Sequence, residues 1–185
     1  MKKLIASAIV AFVAIATVQV QAQTTTKEVK KELKSEKKAA HKALRKLEGK
    51  EVSSRAKDQF MSDFDGVSNV SWARGAQFDE ATFTKDGVKM TAYYDYDSKL
   101  VGTTSIKKFA DLPASAQKEI KKRYKDYTTG AVIMYDDNEN NDTDMFFYGT
   151  QFEDADHYFV TVSKAGKESI LKVSTDGEVS FFKQG

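Results

Sequence analysis

Apolar positions after residue 51 repeat with two different periods, and the change of period divides the chain into elements. Val52, Ala56, Phe60 and Phe64 stand four apart, which places them on one side of a short helix that ends at Asp65-Gly66. Ala116, Ile120 and Tyr124 repeat that spacing in a second helix, with Asp111 near its start and Pro113 in its first turn. Each helix precedes segments of period two. Ala81 and Phe83 lead to a turn at Asp86-Gly87, then to Val88, Met90, Ala92 and Tyr94, a turn near Asp97, and Leu100. After the second helix, Val160 and Val162 lead to Ala165-Gly166, followed by Ser169, Leu171 and Val173, a turn at Asp176-Gly177, and Val179 and Phe181.

The two sets of strands superimpose at an offset of 79 residues, which puts Thr84-Lys85-Asp86-Gly87 on Ser163-Lys164-Ala165-Gly166 and Leu100 on Val179. The helices superimpose at an offset of 64, Ala56 on Ile120 and Phe60 on Tyr124. The difference is an insertion of 15 residues within Tyr135 to Glu153, where Met145 to Tyr148 reads as an extra strand. This pattern predicts an α+β domain over residues 51–185, made of two tandem units at about 51–110 and 111–185. Their antiparallel strands form one sheet with the helices packed on one face.

The first 22 residues follow another logic. Lys2 and Lys3 precede an almost unbroken apolar run from Leu4 to Val18, and Val20-Gln21-Ala22 places apolar or small residues before a cut at Gln23. The run is shorter than the roughly 20 residues of a spanning helix, so residues 1–22 read as a cleaved export signal. The expected address is the periplasm or the exterior, with no transmembrane segment once the signal is gone. In that compartment the absence of cysteine means that core packing alone holds the fold. It also removes thiolate metal sites and cysteine nucleophiles.

Without Lys2 and Lys3 the chain carries 27 basic and 27 acidic residues, and no overall field marks it as a nucleic-acid binder. The neutrality conceals a division. Residues 27–50 hold ten basic and four acidic residues, a net of +6, whereas 51–185 is net −6. Val29, Leu33, Ala40, Leu44 and Leu47 make a thin apolar stripe along a basic helix over residues 23–50, closed by Gly49. This segment reads either as a solvated spacer or as an arm for an anionic lipid, polysaccharide or acidic partner; His41 within it reads as a surface residue.

Val70-Ser71-Trp72 after the first helix, the Asp-Gly hairpin, and Leu112-Pro113 opening a helix with Ile120 and Tyr124 give residues 51–185 a family likeness. The chain resembles the PepSY-like, β-lactamase-inhibitor-protein-like proteins exported by Gram-negative bacteria. The resemblance implies a periplasmic non-enzyme built of helix-plus-four-strand units, with namesakes that bind and inhibit proteins. It transfers no inhibitory residue, since no loop motif of such an inhibitor has a counterpart here, and the lack of cysteine departs from disulfide-stapled inhibitors.

Chemistry along the domain is sparse. His157 sits in Glu153-Asp154-Ala155-Asp156-His157, with no Gly-x-Ser-x-Gly elbow, no His-Glu-x-x-His pair and no phosphate-cradling glycine loop. No catalytic residue is assigned and no cofactor is expected, apart from calcium held weakly by the acidic loop 136–144. Asp136, Asn138 and Asn140 there have the one, three and five spacing of a calcium loop, with Asp142 beside them, but Phe147 stands where the bidentate Glu belongs. A calcium- or small-ligand-binding envelope protein is therefore the alternative reading.

The preferred reading comes from the face opposite the helices. If Val160, Val162 and Val179 point to the helices, then Phe159 and Phe182 point away, and by the same alternation so do Tyr93 and Ile170. With Met145 and Phe147 taken inward, Phe146 and Tyr148 join that side. A row of aromatics on a face expected to be wet is the signature of a protein or peptide interface, unless the N-terminal helix covers it through Leu33, Leu44 and Leu47. The expected function is thus a non-catalytic binding or inhibitory module, presenting Tyr93, Phe146, Tyr148, Phe159, Ile170 and Phe182 to an envelope protein or peptide.

Overall fold

The computed structural model describes residues 49–185 together with Val29, residues 31–33, Ser35, Glu36, Ala39, Ala40, Ala43 and Leu47. The expected signal, His41 and Leu44 lie outside the described residues. The described positions between Val29 and Leu47 are helical and exposed. They precede the domain, and the division into compact units falls after Leu44.

In the domain, helix α1 (Ser54–Asp63) is followed by strands β1 (Ser71–Arg74), β2 (Asp79–Lys85), β3 (Val88–Tyr94) and β4 (Leu100–Lys107). A 3-10 turn at Phe109–Asp111 leads to α2 (Ala114–Arg123) and β5 (Thr128–Asp137). A two-stranded hairpin, β6 (Phe146–Phe147) and β7 (Thr150–Gln151), precedes β8 (His157–Lys164), β9 (Lys167–Ser174) and β10 (Val179–Gln184). Eight of the strands form one sheet in the order β1-β2-β3-β4-β5-β8-β9-β10, with every pair antiparallel. Each half of the domain gives it one helix and four strands.

The hairpins form where the sequence lets the backbone turn the right way. Asp86 and Gly87 have φ of 52° and 75°, and Ala165 and Gly166 have 51° and 74°. Two consecutive left-handed residues match the twist of the flanking strands. The β2–β3 and β8–β9 turns are thus equivalent in conformation, although one carries Asp and the other Ala.

Both helices pack on the same face. Ala56, Phe60 and Phe64 meet Ala81, Phe83, Ala92 and Tyr94, and the Phe60 ring lies edge-on to Phe83 at 5.0 Å. Leu112, Ala116 and Ile120 meet Val132, Val160, Val162, Leu171, Val173 and Val179. Asp111 belongs to the turn before α2, where its carboxylate accepts the Lys108 N–H at 2.7 Å. Pro113 caps the helix with an extended backbone.

Two expectations about individual strands need correction. Met145 to Tyr148 does not join the main sheet: only Phe146 and Phe147 are extended, and they pair with Thr150–Gln151 in the separate hairpin. Phe181 lies opposite Leu171, on the helix side, yet it is 59% exposed. β10 is the edge strand, and the helix-side core beneath α2 includes Val179 but not Phe181. The chain then shifts register between Phe181 and Lys183, a bulge of the kind that blunts an open edge.

At the opposite edge a buried ion pair fixes where the chain enters the domain. Arg74 Nε lies 3.2 Å from Asp79 Oδ1, with the two side chains 8% and 2% exposed. Asp79 also accepts the Ser53 N–H at 3.0 Å, and Arg74 donates to the Glu51 carbonyl. Replacing Asp79 by Ala removes a carboxylate that a buried guanidinium pairs with. We expect urea denaturation to show a loss of about 3–5 kcal/mol in unfolding free energy; a loss below about 1 kcal/mol would put the pair in the class of exposed ion pairs.

Candidate functional site

The face of the sheet away from the helices is where the sequence placed an interface, and the register confirms the direction of its side chains. Ile133 pairs with Phe159 and Tyr135 with His157, and Lys172 pairs with Phe159 from the other side. What differs is cover. Phe159, Ile170 and Tyr93 are buried, at 1%, 4% and 8% exposure, within a second core made by the insertion. Met145, Phe147 and Phe152 come down onto this face, with Phe147 and Phe152 centred 4.9 Å and 5.0 Å from Phe159. Phe182 lies 5.0 Å from Phe159 on the far side, and Phe146 and Phe182 are half-buried against the same cluster. Of the six residues assigned to an open face, only Tyr148 is exposed.

The cover is the insertion. The insertion is fastened polar group by polar group. Asn141 Nδ2 donates to Asp95 Oδ2 at 3.1 Å and to the Leu100 carbonyl at 3.0 Å, and Thr143 Oγ1 donates to Asp95 at 3.3 Å. Asp156 accepts the Asp137 N–H at 2.8 Å. Lys172 pairs with Glu153, which holds that carboxyl below its usual range.

These bonds also use the residues read as a calcium loop. Asp136 lies within β5, paired with Thr103. Asn138 donates its amide to the Leu100 carbonyl at 2.7 Å and accepts the Asn140 N–H at 3.3 Å; Asp142 is exposed. Burial and the neighbouring Asp156 and Asp137 carboxylates push the Asp136 carboxyl up. Among the described residues no three His, Cys, Asp or Glu side chains stand together as a metal site. His157 is buried, with Nδ1 2.8 Å from the Ala155 carbonyl and its ring edge-on to Phe152 at 5.9 Å. It packs as part of the insertion's anchor.

The insertion leaves part of the face open. Ile106 on β4 is 54% exposed and stands directly opposite the half-buried Ile133 on β5. Beside this pair on β3 and β4, Thr91 faces Thr104. The Thr104 hydroxyl lies 3.2 Å from that of Tyr93. Tyr148 overhangs from the tip of the β6–β7 hairpin, with φ of 50° followed by Gly149 at 73°. Its ring lies 4.3 Å from Phe147, burial pushes its phenol up, and its carbonyl accepts from Lys183. A bulky residue in the left-handed region is a true outlier and stores strain.

Ile106 and Ile133 were not singled out in the sequence, although a signal for them exists. Ala131 to Tyr135 is an uninterrupted apolar run, as expected of a strand covered on both faces. Following its alternation from Tyr135 places Ile133 on the outer face, with Ile106 across from it.

The solved structures most informative about this architecture are all from Bacteroides. A β-lactamase-inhibitor-protein-like (BLIP-like) protein from Bacteroides fragilis shares 16% identity, covers 73% of this chain and 86% of its own, and superimposes with a TM-score of 0.54. A DUF2874 family protein from Bacteroides uniformis gives 11% identity, 72% and 90% coverage and a TM-score of 0.60. The fold is BLIP-like. A third structure with this BLIP-like arrangement, from Bacteroides eggerthii and named as a proposed periplasmic protein, gives 12% identity, 73% and 88% coverage and a TM-score of 0.58. No family model and no curated protein matches the chain. Among the described residues no helix is long and apolar enough to cross a membrane.

The buried phenols of the BLIP-like sheet set its behaviour in alkali. Burial pushes the Tyr93 phenol up to about 12 from its ordinary 10.0. Tyr94 and Tyr135 are raised further, first by burial and then by the Asp63 and Asp137 carboxylates that accept their hydrogen bonds. A phenol with a raised folded-state pKa holds its proton more tightly folded than unfolded. Its stabilisation is therefore complete below the ordinary value and is lost as pH rises through the folded one. Absorbance titration at about pH 11 should leave Tyr93, Tyr94 and Tyr135 un-ionised until urea unfolds the chain. Smooth ionisation of all three in the native protein would show the cores on both faces of the sheet to be open to solvent.

Proposed function

We propose that the protein is an exported periplasmic binding module, non-catalytic, that offers the open part of its outer sheet face to a protein or peptide partner. Ile106, Ile133 and Tyr148 replace the fully aromatic row as the contact residues. One observation carries the reading. An aromatic side chain is held in a left-handed turn and left 39% exposed, at a position where Gly or Asn would form the same turn without strain. Strain retained at an exposed aromatic fits a contact residue, because tyrosine supplies a large rigid surface with a polar end at low entropic cost.

Further support comes from what surrounds the site. Ile106 and Ile133 give it an apolar floor, and the half-buried Thr91 and Thr161 add hydroxyls on the same face, the mix of apolar and polar groups that an interface uses. The one histidine of the domain packs edge-on to Phe152, a structural use that supports the non-catalytic reading. The export reading rests on residues 1–22, and the periplasmic description of one structural neighbour agrees with it. The inhibitor name belongs to another neighbour; for this chain only a binding surface is proposed.

The test separates binding from folding. Tyr148→Gly relieves the turn while removing the ring, so its unfolding free energy should stay within about 1 kcal/mol of the parent. Ile106→Asp alters an exposed position and should change stability as little. In affinity capture from the source organism's envelope fraction, both variants should lose, at least tenfold, a species that the parent retains in stoichiometric amount. Equal retention by parent and both variants would sink the proposed face.

A further inference from the structure

The surface of α2 is the most strongly one-signed part of the helix face. Lys118, Lys121 and Lys122 on the helix, and Lys125 just beyond it, follow the spacing i, i+3, i+4, i+7, which sets them along one stripe. All four are exposed. Ala116 and Ile120, buried against the sheet, lie on the opposite side of the helix, so the lysine stripe points directly away from the domain. The acidic groups nearby are already engaged: Glu119 with Arg123 at 2.5 Å and Asp126 with Lys164 at 3.6 Å.

The other face of the sheet carries the opposite sign. Residues 136–156 contain eight acidic residues and no lysine or arginine. The apolar residues of that segment pack on the outer face, against Tyr135, Phe159 and Phe182, whereas α2 packs on the inner one. The domain is therefore polarised across its sheet, basic along α2 and acidic over the insertion.

We propose that α2 is a docking surface for an anionic phospholipid bilayer, on which the protein rests with the open part of its outer sheet face turned away from the lipid. Charge complementarity points to this occupant, and so does the character of the stripe. Its cations are lysines, mobile point charges suited to many headgroups at once, rather than arginines fixed for bidentate contact. Among the described residues, none of the exposed large apolar side chains lies on α2. A protein partner would find no anchor there. A bilayer requires none, because its attraction sums over the lysines, and it repels the acidic insertion so that a single orientation is favoured. The basic residues of 27–50 act in the same sense through their charge alone. The proposal is independent of the identity of any partner on the outer face.

The experiment is vesicle co-sedimentation of the chain without its leader, so that the apolar leader cannot insert. Vesicles of phosphatidylglycerol and phosphatidylcholine mixed one to three are compared with vesicles of phosphatidylcholine alone. We expect binding to the anionic vesicles only, weakened by added salt, and reduced about a hundredfold in the triple variant Lys118→Gln, Lys122→Gln, Lys125→Gln. A second triple variant, Lys89→Gln, Lys99→Gln, Lys167→Gln, removes the same charge from exposed positions off the helix and should bind at least tenfold more tightly than the first. Equal binding by both variants, or parent-like binding by the α2 variant, would overturn the proposal and assign any binding to net charge or to residues 27–50. Salt-sensitive self-association by light scattering, without vesicle binding, would overturn it in favour of the α2 stripe meeting the acidic insertion of a second copy.

Discussion

The stacking of Phe147 and Phe152 on Phe159, with Phe182 closing the far side, is the contact on which the second half of the domain depends. Without it the outer face would expose Tyr93, Tyr135, Phe159 and Ile170 together, an apolar area too large for a monomer to leave wet. With it, a segment dense in carboxylates is held close against the sheet. The arrangement works because apolar and acidic residues are separated along that segment. Met145, Phe146, Phe147 and Phe152 turn down, while most of the acids lie in the loops on either side, where Lys172 receives Glu153, a backbone amide receives Asp156, and Asp95 accepts from Asn141 and Thr143. Gly102 belongs to the same device. A methyl group there would stand 2.6 Å from the Tyr135 hydroxyl and from the Asp136 carbonyl. Only the absence of a side chain lets the tyrosine lie across β4 and donate to Asp137 at 2.8 Å.

That contact also decides how much of the face is available. The insertion covers Tyr93, Tyr135, Phe159 and Ile170 and leaves Ile106 and Tyr148 exposed, so a broad aromatic face becomes a smaller open one. The same segment that buries most of the expected interface thus builds the edge of what remains. Tyr148 lies at the hairpin tip because Phe146 and Phe147 are committed to the core and the turn must follow directly. Its left-handed conformation is a consequence of that placement.

How far the sequence could be read follows from these packing demands. The helix faces at Ala56, Phe60, Ala116 and Ile120, and the hairpins at Asp86-Gly87 and Ala165-Gly166, rest on local period and turn chemistry, which the sheet reinforces. The direction of Phe159, Ile170, Tyr93 and Phe182 was likewise available, since alternation fixes the face of every residue once one is known. What alternation cannot state is whether a face is covered. The covering hairpin has two residues per strand, too few to show a period, and lies among acids that give its surroundings the composition of a solvated loop. The calcium spacing at Asp136, Asn138 and Asn140 is ambiguous for a related reason. Asx side chains that close turns and bind backbone amides recur at the short intervals that ligand loops use.

The polarity of the domain follows from the same division of labour. Each half supplies a helix to one face, but only the second half carries an insertion, and it lies on the other face. Charge gathered on the outer stripe of α2 and on the insertion is therefore separated by the thickness of the sheet, and an architecture of two halves, each with one helix and four sheet strands, becomes electrically asymmetric. An even scatter of its 17 basic and 23 acidic residues would orient the domain nowhere. Segregated as they are, they align it in any field normal to the sheet, which an anionic surface provides within a Debye length, about 8 Å at physiological salt. The strip at Ile106, Ile133 and Tyr148 then faces away from that surface, the orientation in which a soluble partner can reach it.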